Sequence, residues 1–535
     1  MKEIKELKLE EMSVKQKVGF VMTALITKMT SQEDLDFIHK LIKEHALGAV
    51  WVNVVHRKDY IDINKKIREI ADYPILIFTD AENGLGDYRI AKHNSIGMTD
   101  SEELAYTFGK ITAATARKWG YNVVCNPVLD MVDHSDVCGA NMRSMGSDKQ
   151  KVAKLGKAIV RGMHDAGVLS IAKHYPSASQ TSPDGKYIDS HMAETSSSMT
   201  KEELLDYSLY PYLELMKEEL LDGIMVGHCR LPKIDPDFPA SLSKKVINII
   251  REQGFEGIAI TDALGMMGVV AKFGVEPPYS LCIAAGNDLA LPWKKDNEIV
   301  YEAMLKGYED GLFTEEELDK AVTRILAAQH KVYEMSRNEA EITEKDIENY
   351  NKIAAKSIFA KTDEGMNVAL DKNGKYCFFV MTDASVEIND KNTIDVDTFS
   401  ENWYNPFQII NKLEKSYPNS KVYALSEFPE NWRIRNALSD SLDYEVVFIT
   451  YQDGRPYMGK ECFAPRVISL MDAMQVSSRI STIVHFGNPY ALEDLPHIPR
   501  VIIGGVSAKS IETAFDVMEG KASAEGRLTY DVKLS

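Results

Sequence analysis

The stretch KHYPSASQTSPDGKYIDSH (residues 173–191) gathers Lys173, His174, Asp189 and His191 behind a short apolar run, VLSIA (168–172). Asp189 and His191 are two apart, and in a locally extended loop residues i and i+2 project to the same side. Asp189 can then accept a hydrogen bond from one ring nitrogen of His191, fix its tautomer and leave the other nitrogen for proton transfer. The plainer alternative is a solvated Asp and His that never touch. A second carboxylate, Asp262 in GFEGIAITDALGMM (254–267), directly follows an apolar run and has small neighbours. It is either an exposed nucleophile or base, or the N-cap of the next helix, a position that Asp fills well. A third, Asp80 in FTDAENGLGDYRI (78–90), precedes glycines that let the chain turn. Carboxylates there suit sugar hydroxyls, ammonium groups or a divalent cation. No His/Asp cluster at ligand spacing accompanies it, so neither a metal nor a cofactor is expected.

Something must hold these groups together. Over residues 1–335 short apolar runs alternate with amphipathic segments: GFVM (19–22), GAVWVN (48–53), PILIFTD (74–80), YNVVCNP (121–127), VLSIAKH (168–174), DGIMVGH (222–228), GIAITD (257–262) and NDLALP (287–292). Strands that are apolar throughout and alternate with helices imply a parallel sheet covered on both faces. Eight such units fit a closed (β/α)8 TIM-like barrel better than an open sheet. Ser13–Gln16, Thr200–Glu203 and Thr314–Glu317 have the spacing of capping boxes. In KVAKLGKAIVRGMHDAG (151–167), Val152, Leu155, Ile159 and Met163 recur at helical spacing, and Gly167 stands where the helix should end. A polar, charge-rich linker follows (336–355). Residues 356–535 then read as a smaller α/β sandwich domain, with strands at 375–383, 421–426, 444–451, 481–487 and 500–505 and helices at 464–475 and 510–520. In the barrel, the expected strand ends carry Asn53, Asp80, Asn126 with Asp130, Lys173–His174, His228 and Asp262, and barrel enzymes build their sites at those ends.

Composition narrows the class. The 535 residues favour two domains over one. A net charge of −18 without a dense Lys/Arg run excludes nucleic acid and anionic membranes as expected partners. The six cysteines lack C-x-x-C spacing, so no zinc knuckle or redox pair is expected. The N-terminal MKEIKELKLEEM lacks a secretory apolar core, and no run is long enough to span a bilayer. A cytoplasmic enzyme or binding protein fits; the oligomeric state is not legible.

Several motifs together resemble the family 3 glycoside hydrolases, and within them the two-domain bacterial exo-β-N-acetylglucosaminidases. ITDALGMM (260–267) is similar to the family's nucleophile motif, V-T-D-[AS]-L-x-M. AKHYP (172–176) with DSH (189–191) resembles C-K-H-F-P-G-H-G…D-S-H, and DAENG (80–84) resembles D-x-E-G-G. NPVLD (126–130), RSMGSD (143–148), AAGNDLALP (284–292) and GKASAEGRLTYDV (520–532) follow the family's remaining motifs in order. PSASQT (176–181) replaces P-G-H-G, so both glycines are gone, and SPDGKY (182–187) looks like an inserted turn. Ser177 and Ser179 lack glycine's conformational freedom, so this loop is expected to take another path.

The resemblance implies a retaining exo-glycosidase that removes terminal β-linked N-acetylglucosamine from an oligosaccharide or glycoconjugate through a covalent glycosyl-Asp262 intermediate. His191, oriented by Asp189, would be acid and base, while Asp80, Arg143, Lys173 and His174 would hold the terminal sugar. The rival within the family is a β-glucosidase or β-xylosidase whose acid/base is a glutamate from the second domain, with Glu461 the candidate. The rival outside catalysis is a sugar-binding pseudoenzyme.

Overall fold

The computed structural model describes residues 4–53, 57–132, 142–177, 181, 189–293, 296–338, 341–382, 404–427, 430–452, 463–529 and 532–534. The chain forms two compact units. One comprises Met1–Tyr88, Ser101–Asp133 and Ser144–Ile347; the other comprises Arg89–Asp100, His134–Arg143 and Glu348–Ser535.

The first unit is built on seven parallel strands: β1 (Thr23–Thr27), β2 (Ala49–Asn53), β3 (Leu76–Thr79), β4 (Val123–Val124), β5 (Leu169–Tyr175), β6 (Gly223–Val226) and β7 (Ile258–Thr261). They neighbour one another in chain order in one curled sheet. The expected eighth strand joins its two edges through isolated bridges. Leu289 pairs with Ile260 of β7, and Ala290 pairs with Met22 just ahead of β1. The Thr261 N–H donates to the Leu289 carbonyl at 3.1 Å and the Thr23 N–H to the Ala290 carbonyl at 3.0 Å. The architecture is the TIM-like one expected, with helices between successive strands.

One expected strand is absent. GFVM (19–22) lies at the end of the helix Val14–Phe20, and β1 starts only at Thr23. The capping box of Ser13 and Gln16 launches that helix, whose last turn, Lys17 to Phe20, is buried on all sides, so the capped helix takes the start of the apolar run before a strand can form. The boxes at Thr200–Glu203 and Thr314–Glu317 also form. The helix Lys149–Asp165 buries Val152, Leu155, Ile159 and Met163, and Gly167 follows it in the left-handed region at φ +75°.

Two buried carboxylates pin the barrel below its mouth. Asp222, ahead of β6, accepts from His164 Nε2 at 2.7 Å, the Ser170 N–H at 2.9 Å and Lys331 Nζ at 2.5 Å. Asp288 accepts from the Ala259 N–H at 2.7 Å, Arg251 at 2.8 Å and Arg324 at 3.1 Å.

The second unit contains β8 (Phe359–Thr362), β9 (Tyr376–Met381), β10 (Lys421–Leu425), β11 (Glu445–Gln452), β12 (Ile480–Gly487) and β13 (Arg500–Gly504). Their order is β8-β13-β12-β11-β9-β10, parallel except for antiparallel β8. Alternate residues of β9 feed two separate cores, Phe378 and Val380 on one face and Cys377, Phe379 and Met381 on the other. This is the expected α/β sandwich. The expected helices run over Pro465–Gln475 and Ala508–Met518.

Candidate active site

Asp262 directly follows β7, and its backbone N–H donates to the Val226 carbonyl of β6 at 2.9 Å. It does not cap a helix: residues 263–266 form a turn, and the next helix begins at Met267. Its Oδ1 accepts the Ala263 N–H at 2.7 Å, and Oδ2 carries no hydrogen bond among the described residues. One carboxylate oxygen is thus held by the backbone while the other is presented. Burial would raise this carboxyl, but the positive fields of His174, His228 and His191, with the Ala263 N–H, outweigh it and hold the group at about 2. An anion at the strand end is therefore secured by the imidazoles around it.

His191 and Asp189 do meet, though in a turn rather than an extended segment. The Met192 and Ala193 N–H groups donate to the Asp189 carbonyl at 2.9 and 3.2 Å. The buried Asp189 accepts the His191 N–H at 2.9 Å and His191 Nδ1 at 2.5 Å, on the same oxygen, Oδ1. Nδ1 therefore carries the proton in this pair, which leaves Nε2 for chemistry. The turn is fastened to the segment that follows Asp262: the Met267 N–H donates to the His191 carbonyl at 3.3 Å and the Gly268 N–H to the Ser190 carbonyl at 3.1 Å. A Cβ at Gly268 would stand 3.0 Å from the Ser190 carbonyl oxygen. Glycine lets the two chain segments approach this closely.

Lys173 is buried, with an ion pair to Asp80 and another to Glu82 at 3.1 Å. Asp80 is largely exposed, with a side-chain exposure of 60%, so one end of this pair faces solvent. Next to it His174 donates its backbone N–H to Asp130 Oδ1 at 2.9 Å, and its Nδ1 lies 2.7 Å from Asp130 Oδ2. The Lys173–His174 peptide is cis. The Cys125 thiol is pushed well up by burial, with the charges of Lys173, Asp80 and Asp262 acting on it as well. Arg143 is half-buried and belongs to the second unit.

The expectation for Ser177 is overturned. It adopts φ +60° despite its side chain, because Ser177 Oγ donates to the Leu129 carbonyl at 3.0 Å and accepts the Met131 N–H at 2.8 Å. Two buried hydrogen bonds offset the left-handed conformation that glycine would adopt freely. Ser179 and the SPDGKY stretch (182–187) lie outside the described residues, as does Glu461.

Sequence reasoning gives no direct role to three supporting residues, two of which, Asp130 and His228, it places at strand ends. Glu82 is the second partner of Lys173, and Asp130 fixes His174. His228 donates from Nε2 to the Ala263 carbonyl at 3.0 Å and receives Ser241 Oγ on Nδ1 at 2.8 Å. Burial lowers the His228 imidazole's pKa, with Asp262 opposing, and its two hydrogen bonds make His228 a strut under the residue that follows Asp262. The strand-end position of Asp130 and His228 was the available signal; their partners are far away in sequence.

Residues 3–328 match the model of the glycosyl hydrolase family 3 N-terminal domain. The chain belongs to glycosyl hydrolase family 3. It is 31% identical over 242 residues to a beta-hexosaminidase of Idiomarina loihiensis, which covers 43% of this chain and 70% of that protein. It is 30% identical over 272 residues to the beta-hexosaminidase LpqI of Mycobacterium tuberculosis, 47% of this chain and 67% of that one. Its fold superposes on a family 3 β-N-acetylglucosaminidase from Paenibacillus with a TM-score of 0.79 at 23% identity, covering 98% of this chain and 100% of that one. The beta-glucoside phosphorylase BglX superposes with a TM-score of 0.80 at 21% identity, covering 98% and 95%. The protein is a family 3 glycosidase, an enzyme acting on carbohydrate. No helix among the described residues is long and apolar enough to cross a membrane.

Proposed function

We propose that this enzyme is a retaining exo-β-N-acetylglucosaminidase that uses Asp262 as nucleophile and His191 as acid/base. The observation that carries the reading is the Asp189–His191 pair, held by backbone hydrogen bonds to the segment that follows Asp262. In the first step Asp262 Oδ2 attacks the anomeric carbon as the glycosidic C–O bond breaks, and His191 Nε2 gives its proton to the departing oxygen. In the second, His191 Nε2 takes a proton from water, whose oxygen displaces Asp262 from the anomeric carbon. Asp189 keeps Nδ1 protonated and stabilises the imidazolium. Two carboxylates would repel one another beside the sugar; an imidazole avoids that and titrates near neutral pH without deep burial. Asp80, Lys173, His174 and Arg143 bind the hydroxyls of the terminal sugar, through charged hydrogen bonds that strengthen in the transition state.

The N-acetyl preference is supported by the beta-hexosaminidase names of the relatives cited above and by the DSH segment. The test is a panel of chromogenic β-glycosides of N-acetylglucosamine, glucose and xylose. It is run with and without phosphate, because an imidazole does not repel a phosphate acceptor as a carboxylate would. N-acetylglucosaminide should be the best substrate, and His191→Ala should lower kcat/KM by about 100-fold or more on unactivated leaving groups. Full turnover by His191→Ala, or a clear preference for glucoside, contradicts the reading.

A further inference from the structure

Large apolar side chains left in water are uninformative singly and informative when they gather at a site. Trp293, Met192 and Met267 are 57%, 48% and 45% exposed, and all three stand on segments flanking the candidate catalytic pair. Met192 directly follows His191. Met267 donates its backbone N–H to the His191 carbonyl. Trp293 lies just past the Leu289–Ala290 bridges and rests against Gly265, three residues after Asp262. A Cβ on Gly265 would fall 2.2 Å from Trp293 Cβ and 2.6 Å from its Cγ. That glycine is what lets the indole lie against the backbone.

Position decides what this surface meets. The oxygen that His191 protonates belongs to the leaving group, so the leaving group emerges beside the residues that flank His191. An aromatic face and two polarisable thioethers offer stacking and sulfur–ring contacts and few directed hydrogen bonds. We infer that Trp293, Met192 and Met267 form an aglycone subsite that selects leaving groups with a flat aryl face. This rests on the roles proposed for Asp262 and His191 and adds the leaving-group class to them.

Phenyl and methyl 1-thio-β-glycosides of the sugar chosen by the chromogenic panel resist hydrolysis, so calorimetric titration of the full chain reads aglycone binding without turnover. Wild type should bind the phenyl compound about tenfold more tightly than the methyl one. Trp293→Ala should bring the two within about twofold, while Trp293→Phe, which keeps an aromatic face, retains most of the preference. Met192→Ser should lower it independently of Trp293. Equal binding of both compounds by wild type, or a preference that survives Trp293→Ala, overturns the inference while leaving the proposed function standing. If neither compound binds and no chromogenic β-glycoside is cleaved, the proposed function fails and the inference falls with it.

Discussion

The side chain of Asp262 is poised by contacts that a linear reading sees only in part. Its place after an apolar run left two options open, cap or catalyst, and a five-residue offset from the next helix removes the first. What the spacing could not reveal is the ring of imidazoles: His174 and His228 come from the ends of β5 and β6 and His191 from a turn in the chain between them, and their fields set the carboxyl at about 2. A carboxyl depressed below its ordinary value is ionised throughout the working range, so the acid limb due to it lies far below neutral. Withdrawing the largest of those fields by His174→Gln should raise the pKa of Asp262 and shift the acid limb of kcat/KM toward higher pH, as read from a pH–rate profile. An unmoved limb would mean that His174 does not act on Asp262. Ser177 teaches the complementary lesson. Its sequence argued against a glycine-like conformation, yet two long-range hydrogen bonds, invisible in the sequence, stabilise φ +60°.

Among the elements, the parallel strands were legible because both faces of the sheet are covered and the runs are apolar throughout. The first was misplaced because a capped amphipathic helix and a buried strand both present apolar residues, and only the capping box at Ser13 separates them. The edge strand β8 escaped notice: Phe359–Thr362 is half-buried and includes Lys361, so it lacks an apolar signature. The AGNDLALP motif finds its physical reason here. Asp288 receives the Ala259 N–H and the guanidinium groups of Arg251 and Arg324, which ties β7 to the helices Lys244–Arg251 and Glu315–Met335. Asp288→Ala leaves two sequestered cations without their anion and should cost about 3 kcal/mol of stability. Denaturant unfolding followed by circular dichroism would measure it, and a loss below about 1 kcal/mol would show the cluster to be dispensable. The element that presents His191 is likewise fixed by packing: the DSH turn hangs on the Met267 and Gly268 N–H groups, a pairing that no local spacing predicts.

For the molecule as a whole, the two α/β units were visible in the alternation of apolar and amphipathic segments, and the family in the order of its motifs. The second unit's inclusion of Arg89–Asp100 and His134–Arg143 was not visible, since these short segments carry no compositional boundary. At this scale the two family readings diverge, because one takes its acid/base from the barrel and the other from the second domain. If His191 carries the proton, Glu461→Gln should leave kcat/KM within about twofold of wild type. A loss of several orders of magnitude in steady-state assays would transfer the role to Glu461. The central claim is that Asp262 forms a covalent bond to the sugar. Incubation with an activated 2-deoxy-2-fluoro-β-glycoside, which slows the second step more than removal of the leaving group, followed by peptide mass spectrometry, tests it most directly. The account predicts one glycosyl adduct per chain, on the peptide containing Asp262, and its absence in Asp262→Ala. An adduct on another carboxylate, or steady turnover by Asp262→Ala, would contradict it.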